Sequence, residues 1–297
     1  MTHHLGEPQI VLGDEIAVLT PDVVGRLRLP WDARFTLREL ADIANARPSL
    51  SVWNQRTGEF LIGSQWRRRR EIAGIVELYA SGGAVDLIDG FCALAGRQGM
   101  TLAVASEQLE RRHGGFYVQA RLEPIEDIVI YELTHIRSKA QRSGGLTFTS
   151  VDMNDAARVE ELIQLDHAAF PWLWWNSDEE FAEYAAAPGV RIDVALDEGG
   201  RAIAYVGITR FRSWGHLDRI AVDPSIQGQG LGRKALDYAV SSLAAAGASR
   251  VGLSTQARNT RSRSLYESYG FRRSASRDYR IYGRLLDNTR RLEELVR

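Results

Sequence analysis

The chain has 297 residues, 44% hydrophobic and 25% charged, with a net charge of -1 and one cysteine, Cys92. The length suits two ordinary domains, and the composition is that of a soluble globular protein. The charge balance lacks the basic excess of a general nucleic-acid binder, and one cysteine excludes a disulfide within the chain. No run of about 18 apolar residues exists that could span a membrane. The polar start, Met1–Gly6, has neither the basic nor the apolar region of a signal peptide, so a cytoplasmic location is expected.

Leu50–Trp53 and Glu59–Gly63 read as a hairpin. The basic run Arg67–Arg70 beside Trp66 reads as a solvated turn or strand end. Ile72–Tyr79 is expected as a strand and Val85–Ala95 as a helix ending near Gly99, with Cys92 a buried, inert thiol on it. Thr101–Ala105 follows as a strand, Leu109–Gly115 as a short helix, and Ile125–Leu133 as the closing strand of this half. Thr134–Gly145 is polar, basic and ends in Gly-Gly, which is linker composition. The expected division is therefore a first domain over 1–135, a linker over 136–145 and a second domain over 146–297.

In the second half, Leu146–Val151 alternates like a strand and Asp155–Ala169 carries apolar residues at helical spacing behind a cap at Asn154 or Asp155. An aromatic turn, Phe170–Trp175, precedes a short helix near Ser177–Ala187. Val190–Leu196 and Ala202–Arg210 form a hairpin, and His216–Val222 is a further strand. Gly232–Ala246 is a helix stopped by Gly247, Arg250–Thr255 a strand, Arg261–Tyr269 a helix stopped by Gly270, and Tyr279–Leu286 a last strand before a helical tail. The order strand, helix, strand, short helix, strand occurs in both halves, which points to an internal duplication.

Gln227–Gly232 (Gln-Gly-Gln-Gly-Leu-Gly) lies between a strand and a helix. Its glycines permit positive φ and close backbone approach, and the helix N-terminus offers free N–H groups, so the segment suits a phosphate or pyrophosphate. The spacing is wrong for a Rossmann loop, and no Lys-Ser/Thr follows as in a P-loop. Val222-Asp223-Pro224, then Gln227-x-x-Gly230-x-Gly232, then Asn259, Tyr266 and Gly270-Phe271, resembles the GNAT acetyltransferase superfamily over about Leu146–Leu286. The first half resembles it in element order alone; Ser81-Gly82-Gly83-Ala84 stands where the cofactor motif would be.

The resemblance implies an α/β (α+β) fold of two tandem GNAT-like domains, each a mixed central sheet flanked by helices, the first a degenerate copy not expected to bind cofactor. It implies an acetyl-CoA-dependent N-acetyltransferase acting by direct transfer in a ternary complex, without a metal. Gln227, Gly228, Gln229, Gly230, Leu231, Gly232 and Arg233 would hold the pyrophosphate of coenzyme A. The backbone of Ile220, Ala221 and Val222 would pair with the pantetheine arm, which Asn259 would also contact. Tyr266 would lie near the sulfur and protonate the leaving thiolate.

An amine nucleophile must lose a proton, so a base is needed. Strict alternation along His216–Val222 puts His216, Asp218, Ile220 and Val222 on one face, and either His216 or Asp218 can serve. Phe170, Trp172, Trp174 and Trp175 are the candidate acceptor wall. The expected partner is a small-molecule or peptide amine, with no nucleic acid and no membrane. The chain is expected as a monomer, an internal pseudo-dimer, or as a homodimer. A regulatory module that binds acyl-CoA without turnover is the alternative.

Overall fold

The computed structural model describes residues 12, 15–29, 33–46, 49–106, 114–137, 146–287 and 290–296. In chain order its elements are β1 (Ile16–Val18), α1 (Pro21–Val24), α2 (Leu37–Asn45), β2 (Val52–Asn54), β3 (Phe60–Gln65), β4 (Ile72–Tyr79), α3 (Ala84–Arg97), β5 (Leu102–Ser106) and α4 (Gly114–Gln119). There follow β6 (Glu123–Thr134), β7 (Phe148–Ser150), α5 (Ala156–Ala169), α6 (Asp178–Ala186), β8 (Val190–Leu196), β9 (Ala202–Phe211) and β10 (Trp214–Val222). The last are α7 (Leu231–Ala245), β11 (Arg250–Gln256), α8 (Thr260–Tyr269), β12 (Arg272–Arg273) and β13 (Tyr279–Leu285).

The chain forms two compact units, and their boundaries differ from those expected. Unit 1 comprises Met1–Ile125 and Arg280–Glu293; unit 2 comprises Glu126–Tyr279 and Glu294–Arg297. The strand expected to close the first half, now β6, pairs antiparallel with β11 of unit 2, from Thr134 opposite Arg250 to Ile128 opposite Gln256. The strand expected to end the second half, now β13, pairs antiparallel with β5 of unit 1, from Ile281 opposite Ser106 to Leu285 opposite Leu102. Alternating hydrophobicity identifies a strand and its buried face; it does not say which of two similar sheets the strand will join. The expected linker falls mostly outside the described residues, as does most of the helix expected at Leu109–Gly115. After β13 the chain makes a 3₁₀ turn at Leu292–Glu294 in place of the expected helical tail.

In unit 1, β4 pairs parallel with β5 through Ile72–Gly74 and antiparallel with β3. Leu87, Ile88, Phe91, Leu94 and Ala95 of α3 pack into its core. Cys92 is 3% exposed, and burial pushes its thiol up to about 11, an inert state. The Arg67–Arg70 run lies in the β3–β4 turn, with Arg69 buried and ion-paired to Glu71.

In unit 2, β10 pairs antiparallel with β9 and parallel with β11. One face of this sheet is covered by α7 and α8, whose Leu236, Val240, Leu243 and Tyr266 pack with Leu217, Val251 and Leu253. The other face receives α5 and α6, whose Leu162, Leu165 and Phe181 pack with Ile192, Val194, Tyr205 and Ala221. Asp155 caps α5 by accepting from the N–H of Arg158, and Ser177 caps α6 by accepting from that of Glu180. Among the described residues no helix is long and apolar enough to cross a membrane.

Candidate active site

The site is organised by one irregularity in β10. Its pairing with β9 runs in step from Trp214 to Leu217, then shifts, so that Leu217 faces Ile208 and Arg219 faces Gly207. Asp218 is the extra residue of a β-bulge. The bulge breaks the alternation assumed from sequence. His216, Asp218 and Arg219 all address the α5/α6 face, whereas Ile220 and Val222 pack on the α7 side. Single-residue inserts carry no hydrophobic signature, so the expectation that all four residues share a face fails here.

On the α5/α6 face, His216 Nδ1 lies 2.8 Å from Asp218 Oδ1. The other carboxylate oxygen, Oδ2, accepts from Tyr184 O–H and from Thr209 Oγ1–H, each at 2.7 Å. Burial and the Asp218 charge raise the Tyr184 pKa far above its ordinary value, so its hydroxyl stays a donor. Gly207 makes room for it: a Cβ there would fall 2.9 Å from the Tyr184 hydroxyl oxygen. The Asp218 carboxylate only accepts, so in the neutral imidazole it selects the tautomer with the hydrogen on Nδ1 and the lone pair on Nε2. Trp214 stands edge-on to the imidazole, with ring centroids 6.3 Å apart.

Arg219 is 7% exposed and forms an ion pair with Asp166 of α5, which is wholly buried. Its guanidinium also donates to Trp174 O at 2.8 Å and sits 3.8 Å from the Phe170 ring centroid. Asp166 Oδ2 accepts from Asn176 N–H at 3.0 Å, and Tyr205 O–H donates to Asp166 Oδ1. The aromatic turn is thus tied to β10 at Phe170, Trp174 and Asn176. Within it, Trp175 Nε1–H donates to Phe170 O at 2.8 Å, and His167 stacks on Trp175 at 4.4 Å. Trp172 and Trp174 are buried at 9% and 8% exposure, while Phe170 and Trp175 are half-buried. An open wall of four aromatics, as expected from sequence, does not form; two of the rings are packing.

Beside the turn, Glu126 of β6 is buried and ion-paired with Arg258. Burial lifts its carboxyl to about 7 against the opposing pull of Arg258 and Trp174. Sequence reasoning missed Tyr184, Thr209, Asp166, Arg219 and Glu126. Thr209 alone had a signal, as the cross-strand neighbour of His216.

The residues expected to hold the cofactor lie where β10 and β11 part. Their parallel register ends at Leu217 opposite Leu253, leaving the β10 edge at Ile220–Val222 without a β11 partner in that register. The chain then turns through Pro224–Ile226 into the glycine loop. Gly228 (φ 87°) and Gly230 (φ 78°) take the left-handed conformation, and nothing lies within 4 Å of a Cβ built on either. Among the described residues no carboxylate bonds the amides of Gly228–Gly232. Leu231 begins α7, so its N-terminus faces the loop. Gln227 is held by its Nε2–H on Val222 O at 2.9 Å and accepts from Arg261. Arg233 lies over Tyr269, 4.5 Å from the ring centroid, and Gln229 is exposed on the loop. Asn259 caps α8 by accepting from Ser262 N–H at 3.0 Å. Tyr266 is 4% exposed beside Tyr131 and Phe271, and burial pushes its phenol up to about 12. An open amide cradle at a helix N-terminus beside an unpaired strand edge fits a pyrophosphate with an extended arm.

Known proteins place the chain in a family. The acetyltransferase (GNAT) family model matches residues 157–271. The ribosomal-protein alanine N-acetyltransferase of Escherichia coli is 32% identical over 132 residues, which cover 44% of this chain and 84% of that protein. A GCN5-related N-acetyltransferase from Sphaerobacter thermophilus superposes with a TM-score of 0.58 at 14% identity, covering 94% of this chain and 98% of that one. A tandem GNAT protein of the clavulanic acid biosynthesis pathway gives a TM-score of 0.55 at 12% identity, covering 93% and 99%. The chain belongs to the GNAT acetyltransferase family, and its fold over nearly the whole length is shared with a tandem member. It is an N-acetyltransferase, of a family whose donor is acetyl-CoA.

Proposed function

We propose that unit 2 transfers the acetyl group of acetyl-CoA directly to a primary amine of a small molecule or peptide, with His216 as base and Asp218 as its positioning residue. The observation that carries this is the Asp218 carboxylate, bonded by Tyr184 and Thr209 and set 2.8 Å from His216 Nδ1, which in the neutral imidazole directs the basic nitrogen to Nε2. Acetyl-CoA supplies an activated thioester. The amides of Gly228–Gly232 and the α7 N-terminus would hold its pyrophosphate, with Gln227, Gln229 and Arg233 flanking them. The open edge at Ile220, Ala221 and Val222, together with Asn259, would align the arm.

His216 takes the proton that the amine sheds as its nitrogen bonds the acetyl carbon and the carbon–sulfur bond breaks. Tyr266 is protonated at neutral pH and gives its proton to the departing thiolate. His216 and Tyr266 belong to opposite faces of the sheet, so this reading sets the thioester where β10 parts from β11. The acceptor would enter on the α5/α6 side, against the exposed edges of Phe170 and Trp175, with Trp172 and Trp174 fixing the turn behind them. The alanine-acetylating relative supports including peptide α-amines among the acceptors.

The test is a panel of N-terminal alanyl peptides and small primary amines with acetyl-CoA, read by thiol release. Turnover by wild type with loss of kcat in Tyr266→Phe by about 10²-fold, at little change in acetyl-CoA affinity, is expected. Unchanged kcat in Tyr266→Phe would remove that residue from the chemistry. Acetyl-CoA binding without turnover on the whole panel would overturn the enzyme reading.

A further inference from the structure

Unit 1 repeats the strand–loop–helix of the active unit, and its loop is already filled. The segment between β4 and α3 is Ala80–Gly83. The Glu59 carboxylate lies in it: Oε1 accepts from Ser81 N–H at 2.6 Å, Ser81 Oγ–H at 2.6 Å and Gly82 N–H at 3.0 Å, while Oε2 accepts from Gly83 N–H at 3.1 Å. Three successive amides and one hydroxyl therefore converge on a single anion at the N-terminus of a fourteen-residue helix. Gly83 is needed for this approach, because a Cβ there would fall 2.4 Å from Glu59 Oε2. Thr57 Oγ1–H donates to the same carboxylate at 3.2 Å, fixing it from its own side.

We propose that Glu59 is a built-in anion occupying the phosphate position of unit 1, closing that unit to phosphoryl ligands and leaving one coenzyme A site per chain. Burial alone would raise the Glu59 pKa, but the hydrogen bonds from Ser81, Gly82 and Gly83 outweigh it and hold the carboxyl at about 2. The group is thus an anion at neutral pH. Among the described residues the corresponding loop of unit 2 has no carboxylate on its amides, so the helix N-terminus that is occupied in one unit is open in the other. This inference does not depend on the acceptor or on the base assigned above.

The experiment compares wild type with Glu59→Ala, both saturated with coenzyme A so that the unit 2 loop is filled. Thermal melting is followed in inorganic phosphate and in chloride at matched ionic strength. Wild type is expected to bind one coenzyme A per chain by calorimetry and to melt alike in the two salts. Glu59→Ala is expected to melt about 2–4 °C lower in chloride and to regain at least half of that in phosphate. Unit 2 turnover should be unchanged in the variant. Should Glu59→Ala fail to fold, Glu59→Ser, which likewise removes the carboxylate and opens the loop, takes its place in the same comparison. Two coenzyme A per wild-type chain, an undiminished melting temperature, or a loss that phosphate does not repair would each overturn the proposal. Zero coenzyme A per wild-type chain would instead overturn the reading of unit 2.

Discussion

The strand–loop–helix of β4 and α3 and that of β10 and α7 share a bulged strand and a helix entered from glycine, but their loops differ in length, Ala80–Gly83 against Asp223–Gly230, and in chemistry. Each strand begins parallel to a downstream partner, through Ile72–Gly74 in one and Trp214–Leu217 in the other. Each then slips by one residue against its antiparallel neighbour. In β4 the register passes from Ile75 opposite Gly63 to Glu77 opposite Ile62, making Val76 the extra residue, as Asp218 is in β10. Counting from the bulge, Gly74 stands where His216 does, and Val76 where Asp218 does. The residue after each bulge carries a charge: Glu77 pairs with Arg34 at 2.5 Å, and Arg219 pairs with Asp166. The frame, bulge included, is thus a property of the fold. On the function we propose, catalytic competence resides in a few side chains hung on it, together with whether the loop is left open.

The largest expected difference between the two frames is in turnover. His216→Ala should lower kcat by about 10²–10⁴-fold while acetyl-CoA affinity stays within a factor of about two. Val76→Ala, at the matching bulge of unit 1, should leave kcat unchanged. Steady-state kinetics with the best amine of the panel checks both, and a His216→Ala enzyme within about threefold of wild type would take the imidazole out of the chemistry.

The ion pairs beside the bulges should differ next. Arg219→Met strands a buried Asp166 carboxylate and is expected to cost about 3–5 kcal/mol of stability. Arg34→Met breaks a pair whose arginine is 44% exposed and should cost about 1 kcal/mol or less. Urea unfolding measures both; equal losses would mean that the two frames are clamped alike.

The smallest effect is in pH dependence. The Glu59 carboxyl falls to about 2 in the folded chain, against about 4.3 unfolded. Its contribution is therefore fully present above about pH 4.3 and lost as pH falls toward 2. The stability gap between wild type and Glu59→Gln should hold steady from neutral pH to about pH 5 and narrow below it. A gap unchanged at pH 3 would show that the amides do not prefer the anion.

The legible part of the molecule was whatever lies close together in sequence. The helices α3, α5, α7 and α8, the hairpins β2–β3 and β8–β9, and the glycine loop before α7 follow from spacing and from residues such as Asp155, Gly228 and Gly270. The bulge at Asp218 was not legible, because one inserted residue leaves no periodic trace, and with it went the true facing of Ile220 and Val222. Tyr184 lies 34 positions from Asp218, and Glu59 lies 22 from Ser81. Contacts of that kind depend on how elements pack, which local pattern does not encode. The partners of β6 and β13 were hidden for the reason already given: two similar sheets offered each a similar edge.

That exchange of strands has a consequence for synthesis on the ribosome. Ile281–Leu285 complete the sheet of unit 1, yet they are translated after nearly all of unit 2. Until then the β5 edge presents unpaired amides and carbonyls, a template for a wrong strand. The nascent chain must therefore carry an unfinished first unit through translation of the second, so its vulnerable interval is set by elongation speed. Halves expressed as separate polypeptides cut near residue 135 would each lack a native strand and retain a foreign one. A gene that reads as a duplication therefore cannot be divided at its midpoint without parting each unit from one of its strands.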